Sequence, residues 1–252
     1  MDEVVIALRD QLAELSGLLA QRDDADFARE APRCPGWTVA DVVLHLAQTD
    51  EFAIASAEGR LPKGRANLAG PTAPVEAVDD TAALMVERER GKPASVVRDR
   101  WQASADALVA VLDATDLHTR VRWVAGEISA RTLATTRIAE TWIHTGDVAE
   151  AFGVTLTPTN RLRLIARLAW RTLPYAFGRA GRALSGPVAF ELTGPSGETW
   201  VFVPDEEPKT VIRGDALDLC LVAARRAEPS ETGLQGEGPD TDAVLELVRT
   251  YA

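Results

Sequence analysis

The chain has 252 residues, of which 46% are hydrophobic and 26% are charged, as in a soluble globular protein with ample material for a buried core. Its net charge of −11 argues against nucleic acid or an anionic membrane as the main partner, because both favour basic surfaces. No stretch approaches the roughly 20 apolar residues that span a bilayer. The N-terminus is acidic where a secretory signal would be basic, so we expect a cytoplasmic protein.

The first half of the chain is helical in pattern. Apolar residues at three- and four-residue steps predict an amphipathic helix over residues 2–22. A turn then precedes Thr38, which is expected to cap a second helix that ends near Ala57, with Asp41 in the matching third position. Residues 59–76 are rich in Gly, Pro and Ala and predict a long surface loop. The sequence leaves open whether this loop covers a site as a lid.

Further helices follow, and the pattern then changes to strands. The expected elements are a helical region from about 79 to 112 with a break at 91–93, a loop holding His118 and Trp123, helices over 129–152 and 158–177, strands over 188–193, 198–203 and 210–213, and helices over 215–225 and 240–251. This order predicts an α+β protein. We expect a helical bundle over residues 1–180 and a smaller α+β domain over residues 181–252.

The histidines provide the main functional signal. The chain has three of them, and two lie in strong helical patterns. Glu140 and His144 are four residues apart, so they project from the same helix face, about 6 Å apart at Cβ. His45 lies within the second predicted helix between two leucines. Two imidazoles and one carboxylate can form a divalent metal site that leaves coordination positions open for chemistry.

The spacing alone also fits a helix face with a solvated carboxylate and a half-buried histidine. Two details favour the metal site. The helix around Glu140 is apolar on several sides, so an unpaired carboxylate would be costly to bury there. His45 faces the interior of the same bundle in any compact packing, and metal sites are commonly built in bundle cores.

Two motifs resemble the mycothiol-dependent maleylpyruvate isomerase family, which is DinB-like. They are RCPGWTVADVVLHLA over residues 33–47 and RIAETWIHTGD over residues 137–147. The likeness continues through the helix start PTNRL at 158–162 and the stretch VIRGDALDL at 211–219, so it spans nearly the whole chain.

This resemblance implies an N-terminal DinB-like four-helix bundle that holds a divalent metal, usually zinc, through His45, Glu140 and His144. It also implies a C-terminal domain that covers the site and contributes an arginine. Arg225 is preferred over Arg226 for that role, and the alternative is a solvated arginine at a helix end.

Asp147 lies one turn beyond His144 and is a candidate to orient that ligand from behind. The alternatives are an ion pair with Arg137 or a solvated carboxylate.

The resemblance further implies that the metal lowers the pKa of the thiol of mycothiol, which then attacks a small electrophilic substrate. The protein would be a thiol-assisted isomerase or S-transferase, as a monomer or homodimer. Two alternatives stay open. One is a relative that catalyses cyclisation or hydrolysis without a thiol, since three-ligand zinc can also activate water. The other is a non-catalytic ligand-binding protein.

Cys34 and Cys220 lie far apart and offer no metal or redox spacing, so neither supports the main hypothesis. Cys220 is typical of a small buried residue. Trp37, Trp123 and Trp142 lie near the motifs, where they suit either core packing or an apolar substrate pocket. His118 is expected to be an exposed loop residue.

Overall fold

A computed structural model of the chain describes residues 1–61, 75–124 and 126–250, with side chains for all of these except 75–80. Most of the loop predicted over 59–76 therefore lies outside the described residues. The chain forms two compact units, Met1–Leu156 and Thr157–Ala252. Within the described ranges, no helix combines the length and apolar character needed to cross a bilayer.

The first unit is mainly helical. Its elements are α1 (Glu3–Leu19), α2 (Asp24–Phe27), α3 (Val39–Ala57), α4 (Val75–Glu87), α5 (Ala94–Ala114), β1 (Arg120–Trp123), β2 (Gly126–Ser129) and α6 (Ala130–Phe152). Helix α3 packs against α5 and α6, and α1 packs against the same two helices. These four helices form a bundle around a core of fully buried leucines, which include Leu8, Leu15, Leu44 and Leu108. The predicted α+β class with a helical N-terminal region is confirmed.

The start of α3 follows directly from the sequence. The Thr38 hydroxyl accepts a hydrogen bond from the backbone N–H of Asp41 at 3.3 Å, and the Asp41 carboxylate accepts one from the backbone N–H of Thr38 at 3.0 Å. This reciprocal pair satisfies two N–H groups that the first helical turn leaves unpaired. The predicted cap is confirmed, and it fixes the helix that carries His45.

Helix α6 is also bounded as its sequence predicts. The Ser129 hydroxyl accepts a hydrogen bond from the backbone N–H of Thr132 at 3.1 Å. At the other end Gly153 has a φ of 67°, the left-handed conformation that glycine adopts without a steric penalty. The helix therefore runs unbroken through every residue of the second motif.

The prediction of a loop around His118 and Trp123 is partly wrong, because this segment contains a β-hairpin. Strands β1 and β2 pair antiparallel, with Val121 opposite Ile128. The pattern in β1 alternates, since Val121 and Trp123 are buried while the two arginines between and before them are not. A strand of four residues is too short to stand out by periodicity alone, which explains why it was missed.

The second unit combines a sheet with helices. Its elements are α7 (Leu162–Arg179), β3 (Val188–Thr193), β4 (Thr199–Phe202), β5 (Thr210–Asp215), α8 (Ala216–Ala223), β6 (Gln235–Glu237) and α9 (Thr241–Leu247). The strand order is β4-β3-β5-β6, with β3 and β5 parallel and the other pairs antiparallel. Strand β6 was not predicted, and α9 ends at Leu247, before the predicted end at 251.

Helix α7 belongs to the second unit, whereas the division at residue 180 assigned it to the first domain. It packs against α8, α9 and β4. Its apolar residues, among them Ile165, Leu168 and Phe177, are buried. A helix with one continuous apolar face gives no sign in its own sequence of which neighbouring unit covers that face.

Candidate metal centre

One face of α6 collects the polar residues of the second motif. Arg137, Glu140, His144 and Asp147 follow one another at steps of three, four and three residues, so they lie along a single side of the helix. All four side chains are buried. A helix that turns charged groups toward a bundle interior needs partners for each of them, because burial of an unpaired charge is very costly.

The central partner is His45, which α3 presents to α6. Its Nε2 lies 2.8 Å from Oε1 of Glu140. Nε2 of His144 lies 3.7 Å from the same oxygen. The two imidazole rings meet edge to face, with centroids 5.1 Å apart and an interplanar angle of 77°. The structure therefore brings together the three residues that the sequence analysis selected as metal ligands.

The charges of this cluster depend on a balance between burial and hydrogen bonding. Burial lowers the pKa of His45, despite the contact with Glu140. Burial on its own would raise the pKa of Glu140, but its two histidine partners hold that pKa well below the ordinary value. Burial would lower the pKa of His144, but the hydrogen bond with Asp147 opposes it, and further contacts hold that pKa well above the ordinary value. The carboxylate is thus ionised between two imidazoles.

The donor set fits a divalent cation. One ligand atom from each of His45, Glu140 and His144 lies within 4.8 Å of the other two. Imidazole nitrogen and carboxylate oxygen are ordinary ligands of zinc and related ions, and two imidazoles with one carboxylate leave further coordination positions for a substrate atom. Each of the three residues is at most 9% exposed, so a bound charge would interact strongly with all three.

Asp147 lies behind His144. Its Oδ2 is 2.8 Å from Nδ1 of His144, and its side chain is 1% exposed. A hydrogen bond from Nδ1 to a carboxylate leaves Nε2, which is the atom nearer Glu140, without a proton of its own when the ring is neutral. The two alternatives for Asp147 are not observed: Arg137 pairs with Asp50 instead, and Asp147 is buried and not solvated.

Cys34 is the residue that the sequence analysis left aside and the structure brings to this place. Its thiol donates to Oδ2 of Asp147 at 3.3 Å. Cys34, His144 and Asp147 form a second group of potential ligand atoms within 4.8 Å of one another. The sequence shows only that Cys34 lies in the tight turn of the first motif, and nothing in it indicates the contact with Asp147.

Arg137 pairs with Asp50 of α3. Its Nε lies 3.1 Å and its Nη2 lies 3.0 Å from Oδ1 of Asp50, and the two side chains are 1% and 0% exposed. Nη2 also donates to the Thr49 hydroxyl at 2.9 Å, and this hydroxyl donates to the backbone carbonyl of His45 at 3.0 Å. Arg137 therefore ties α6 to the turn of α3 that begins at a candidate ligand.

The three tryptophans near the motifs have different places. Trp37 is half-buried, and its ring centroid lies 5.3 Å from that of His45. Trp123 is buried and packs on Phe52 with centroids 5.3 Å apart, so it belongs to the core. Trp142 is half-buried on α6. Of these three tryptophans, Trp37 is the one whose ring contacts a residue of the His45–Glu140–His144 cluster.

The remaining candidates are two arginines of the second unit and one histidine of the first unit. Arg225 follows α8 with a φ of 60°, and its Nη2 donates to the backbone carbonyl of Glu246 at 2.7 Å. Arg226 is half-buried and donates to the carbonyl of Ala224 at 3.1 Å. The role of either arginine at the metal cluster stays a prediction. His118 is exposed and lies outside the cluster.

Comparison with known proteins gives a consistent set of relatives. Residues 8–149 match the family described as the mycothiol maleylpyruvate isomerase N-terminal domain. Two curated proteins, from two strains of Mycobacterium tuberculosis, are 32% identical over 249 residues, which cover 98% of this chain and 95% of each relative. Both relatives are described as uncharacterised proteins.

Two solved structures have a similar fold. A crystal structure of the mycothiol-dependent maleylpyruvate isomerase has a TM-score of 0.60 at 21% identity and covers 95% of each chain. A histidine-to-alanine mutant of that isomerase gives a TM-score of 0.61 at 19% identity, with the same coverage. At this level of identity the likeness shows the fold.

The buried Arg137–Asp50 pair predicts a pH-dependent loss of stability in Arg137→Met. Burial raises the pKa of Asp50 from 3.8 to about 6, although Arg137 opposes this shift. Between these values the folded protein holds a proton that the unfolded chain has released, so stability falls as pH rises. Without Arg137 the pKa of Asp50 moves above 6, and the fall continues to higher pH. We expect a loss of roughly 3–5 kcal/mol at pH 7, and a loss smaller by about 1 kcal/mol at pH 5.

Urea unfolding at both pH values, with a chelator in every sample, measures these losses. Arg100→Met is the matched control, because Arg100 contacts Glu51 and Glu89 near the surface. An exposed pair of this kind contributes about 1 kcal/mol or less. A loss in Arg137→Met that is equal at pH 5 and pH 7 would contradict the assignment of Asp50.

Proposed function

Because the chain belongs to the mycothiol maleylpyruvate isomerase family, we propose that it is a metal-dependent enzyme that uses a low-molecular-weight thiol. The metal is a divalent ion, preferably zinc, held by His45, Glu140 and His144. The thiol is mycothiol, and the substrate is a small electrophilic organic molecule. The observation that carries the proposal is the buried cluster of two imidazoles and one carboxylate between α3 and α6.

The ligand set suits thiol chemistry. A divalent ion bound there would lower the pKa of a coordinated thiol, so that the nucleophilic thiolate is available at neutral pH. Glu140 supplies the negative charge that partly balances the cation. His45 and His144 supply two further donors and leave at least one position open. Asp147 acts as a positioning residue, because it accepts from Nδ1 of His144 and directs Nε2 toward Glu140.

Two reactions follow from such a thiol. Addition to a conjugated cis double bond, rotation about the resulting single bond and elimination of the thiol would give the trans isomer. Displacement of a leaving group would give a thioether instead. Trp37, beside His45, supplies an aromatic wall that suits a planar conjugated substrate.

Arg225 is proposed as the residue that binds a carboxylate of the substrate. Arg225 is an exposed residue, and besides the bond from its Nη2 to the carbonyl of Glu246 its guanidinium carries further donors in a fixed plane that suits a carboxylate. Its left-handed backbone conformation is unusual for a residue other than glycine, and such conformations are concentrated at functional sites.

Elemental analysis of the purified protein tests the metal centre. We expect about one divalent ion per chain in the wild type, because all three ligands come from a single chain. His144→Ala should lose the ion, since it removes one of only three donors. His118→Ala is the matched control, because His118 is exposed and outside the cluster. Wild-type protein that stays below about one-tenth of an ion per chain after incubation with zinc would refute the proposed centre.

Turnover assays test the use of a thiol. The zinc-loaded protein should convert maleylpyruvate to its trans isomer, or an activated aromatic chloride to a thioether, only when mycothiol is present. Glu140→Gln should lower the rate by about 100-fold or more, because it removes a charged ligand. Chromatography with mass detection identifies both products.

Other outcomes of the same assays separate the alternatives. Turnover without any thiol would favour the hydrolase or cyclase reading of the site. Tight binding of an electrophile without product would favour a ligand-binding protein.

Comparison of two neighbouring arginines tests the role of Arg225. Arg225→Gln should raise KM for a substrate with a carboxylate by about tenfold or more, because a charge-assisted contact is lost. Arg226→Gln should leave KM within about twofold, since Arg226 is half-buried whereas Arg225 is exposed. Equal effects of the two variants, or an effect of Arg226→Gln alone, would show that Arg225 is not the contact.

A further inference from the structure

Cys34 contacts Asp147, the carboxylate that in turn contacts the candidate metal ligand His144. The residue belongs to a tight turn closed by backbone hydrogen bonds from Cys34 to the carbonyl of Ala31 at 2.9 Å and from Trp37 to the carbonyl of Cys34 at 2.9 Å. Gly36, with a φ of 80°, allows this turn. The turn immediately precedes the cap of α3, so the thiol is held against α6 by the same local structure that starts the helix of His45.

The contact of the thiol is with Asp147. The Cys34 Sγ donates to Oδ2 of Asp147 at 3.3 Å, and the same oxygen lies 2.8 Å from Nδ1 of His144. Asp147 is 1% exposed, whereas Cys34 is half-buried. A buried carboxylate needs hydrogen-bond donors to stay ionised and fixed in one rotamer. Cys34 and His144 are two such donors, and they approach one oxygen from two different elements of the chain.

The potential ligand atoms form two groups, and the contact between Cys34 and Asp147 belongs to a different group from His45 and Glu140. His144 belongs to two sets, one with His45 and Glu140 and the other with Cys34 and Asp147. Its Nε2 points to Glu140, and its Nδ1 points to Asp147. The Cys34 thiol belongs to the second set, in which it donates to Asp147 and also contributes to the raised pKa of His144.

We propose that Cys34 is a positioning residue of the metal centre, which acts through Asp147 on His144. Donation from the thiol fixes the Asp147 carboxylate, and the carboxylate in turn fixes the ring orientation and tautomer of His144. The inference rests on the proposed metal function, and it adds a residue from the first motif to the set that determines metal affinity. Outer contacts of this kind typically change metal affinity by 10- to 100-fold when they are removed.

Metal affinity in four variants tests the proposal. Zinc and cobalt(II) are titrated into chelator-treated protein with a phosphine as reductant, and the Kd and the cobalt absorption spectrum are recorded. Cys34→Ala removes the donor and should weaken binding about tenfold, with a changed cobalt spectrum. Cys34→Ser keeps a hydrogen that can be donated to Asp147, and it should stay within about threefold of the wild type.

The double variant shows whether the effect passes through Asp147. Asp147→Ala should itself weaken binding, and addition of Cys34→Ala to it should have no further effect, because contacts that act in series are not additive. Additive losses, an unchanged Kd in Cys34→Ala, or equal losses in the serine and alanine variants would overturn the role of Cys34. Absence of binding by the wild type would overturn the metal centre and, with it, this inference.

A chemical experiment covers the case in which Cys34→Ala does not fold. Methyl methanethiosulfonate converts the Cys34 thiolate to a methyl disulfide with loss of methanesulfinate, which removes the S–H donor from folded wild-type protein. Cys220 is completely buried and is protected from the reagent. Zinc affinity should fall after the treatment and return after reduction with the phosphine, while Cys34→Ser should not respond. An unchanged wild-type affinity after complete modification would overturn the proposal.

Discussion

The first unit buries the Glu140 carboxylate within its helical bundle, and the neighbouring residues have to satisfy this charge. A carboxylate loses several kcal/mol of hydration when it is transferred to such an interior, and it stays ionised only if donors or cations surround it. His45 meets that need from α3, and His144 meets it from the next turn of α6. The contact between α3 and α6 is therefore fixed by charge as well as by apolar packing. A divalent ion beside Glu140 would balance the carboxylate more fully than the two imidazoles do, because it carries more positive charge than one protonated imidazole.

The rest of the polar face of α6 can be understood from the same constraint. Arg137 lies one turn before Glu140, and its charge is neutralised by Asp50. Asp147 lies one turn after His144 and accepts a hydrogen bond from the Cys34 thiol. Arg137, Glu140 and Asp147 each have a partner outside α6, namely Asp50, His45 and Cys34. Because an unsatisfied member would destabilise the whole network, the partners hold the ligands in a narrow set of positions. Such contacts limit the positions that the side chains can take, and a metal centre with only three protein ligands would need that limit.

Local signals allowed the sequence to predict a candidate ligand set and Asp147 behind it, but not the partners that come from distant parts of the chain. The four-residue step from Glu140 to His144 and the cap at Thr38 are local features, and both were predicted correctly as structure. The partner of Arg137 lies 87 residues earlier in the chain, so no local pattern could identify it as Asp50. The same limit applies to Cys34, whose contact spans 113 residues. Short strands such as β1 and β6 were missed because three or four residues carry too little periodicity.

Family membership and the ligand cluster together constrain the chemistry more than the substrate. A three-ligand centre determines how a thiol or another small ligand can be activated, since this depends on charge, donor type and open positions. Substrate choice depends on the groups that contact the reacting molecule, and these groups can differ between proteins that share the same metal ligands. Trp37 is half-buried in the first unit, and its ring lies against the ring of His45, one of the three candidate ligands. This ring supports the proposal of a conjugated electrophile as substrate, because a planar frame can stack on an aromatic side chain.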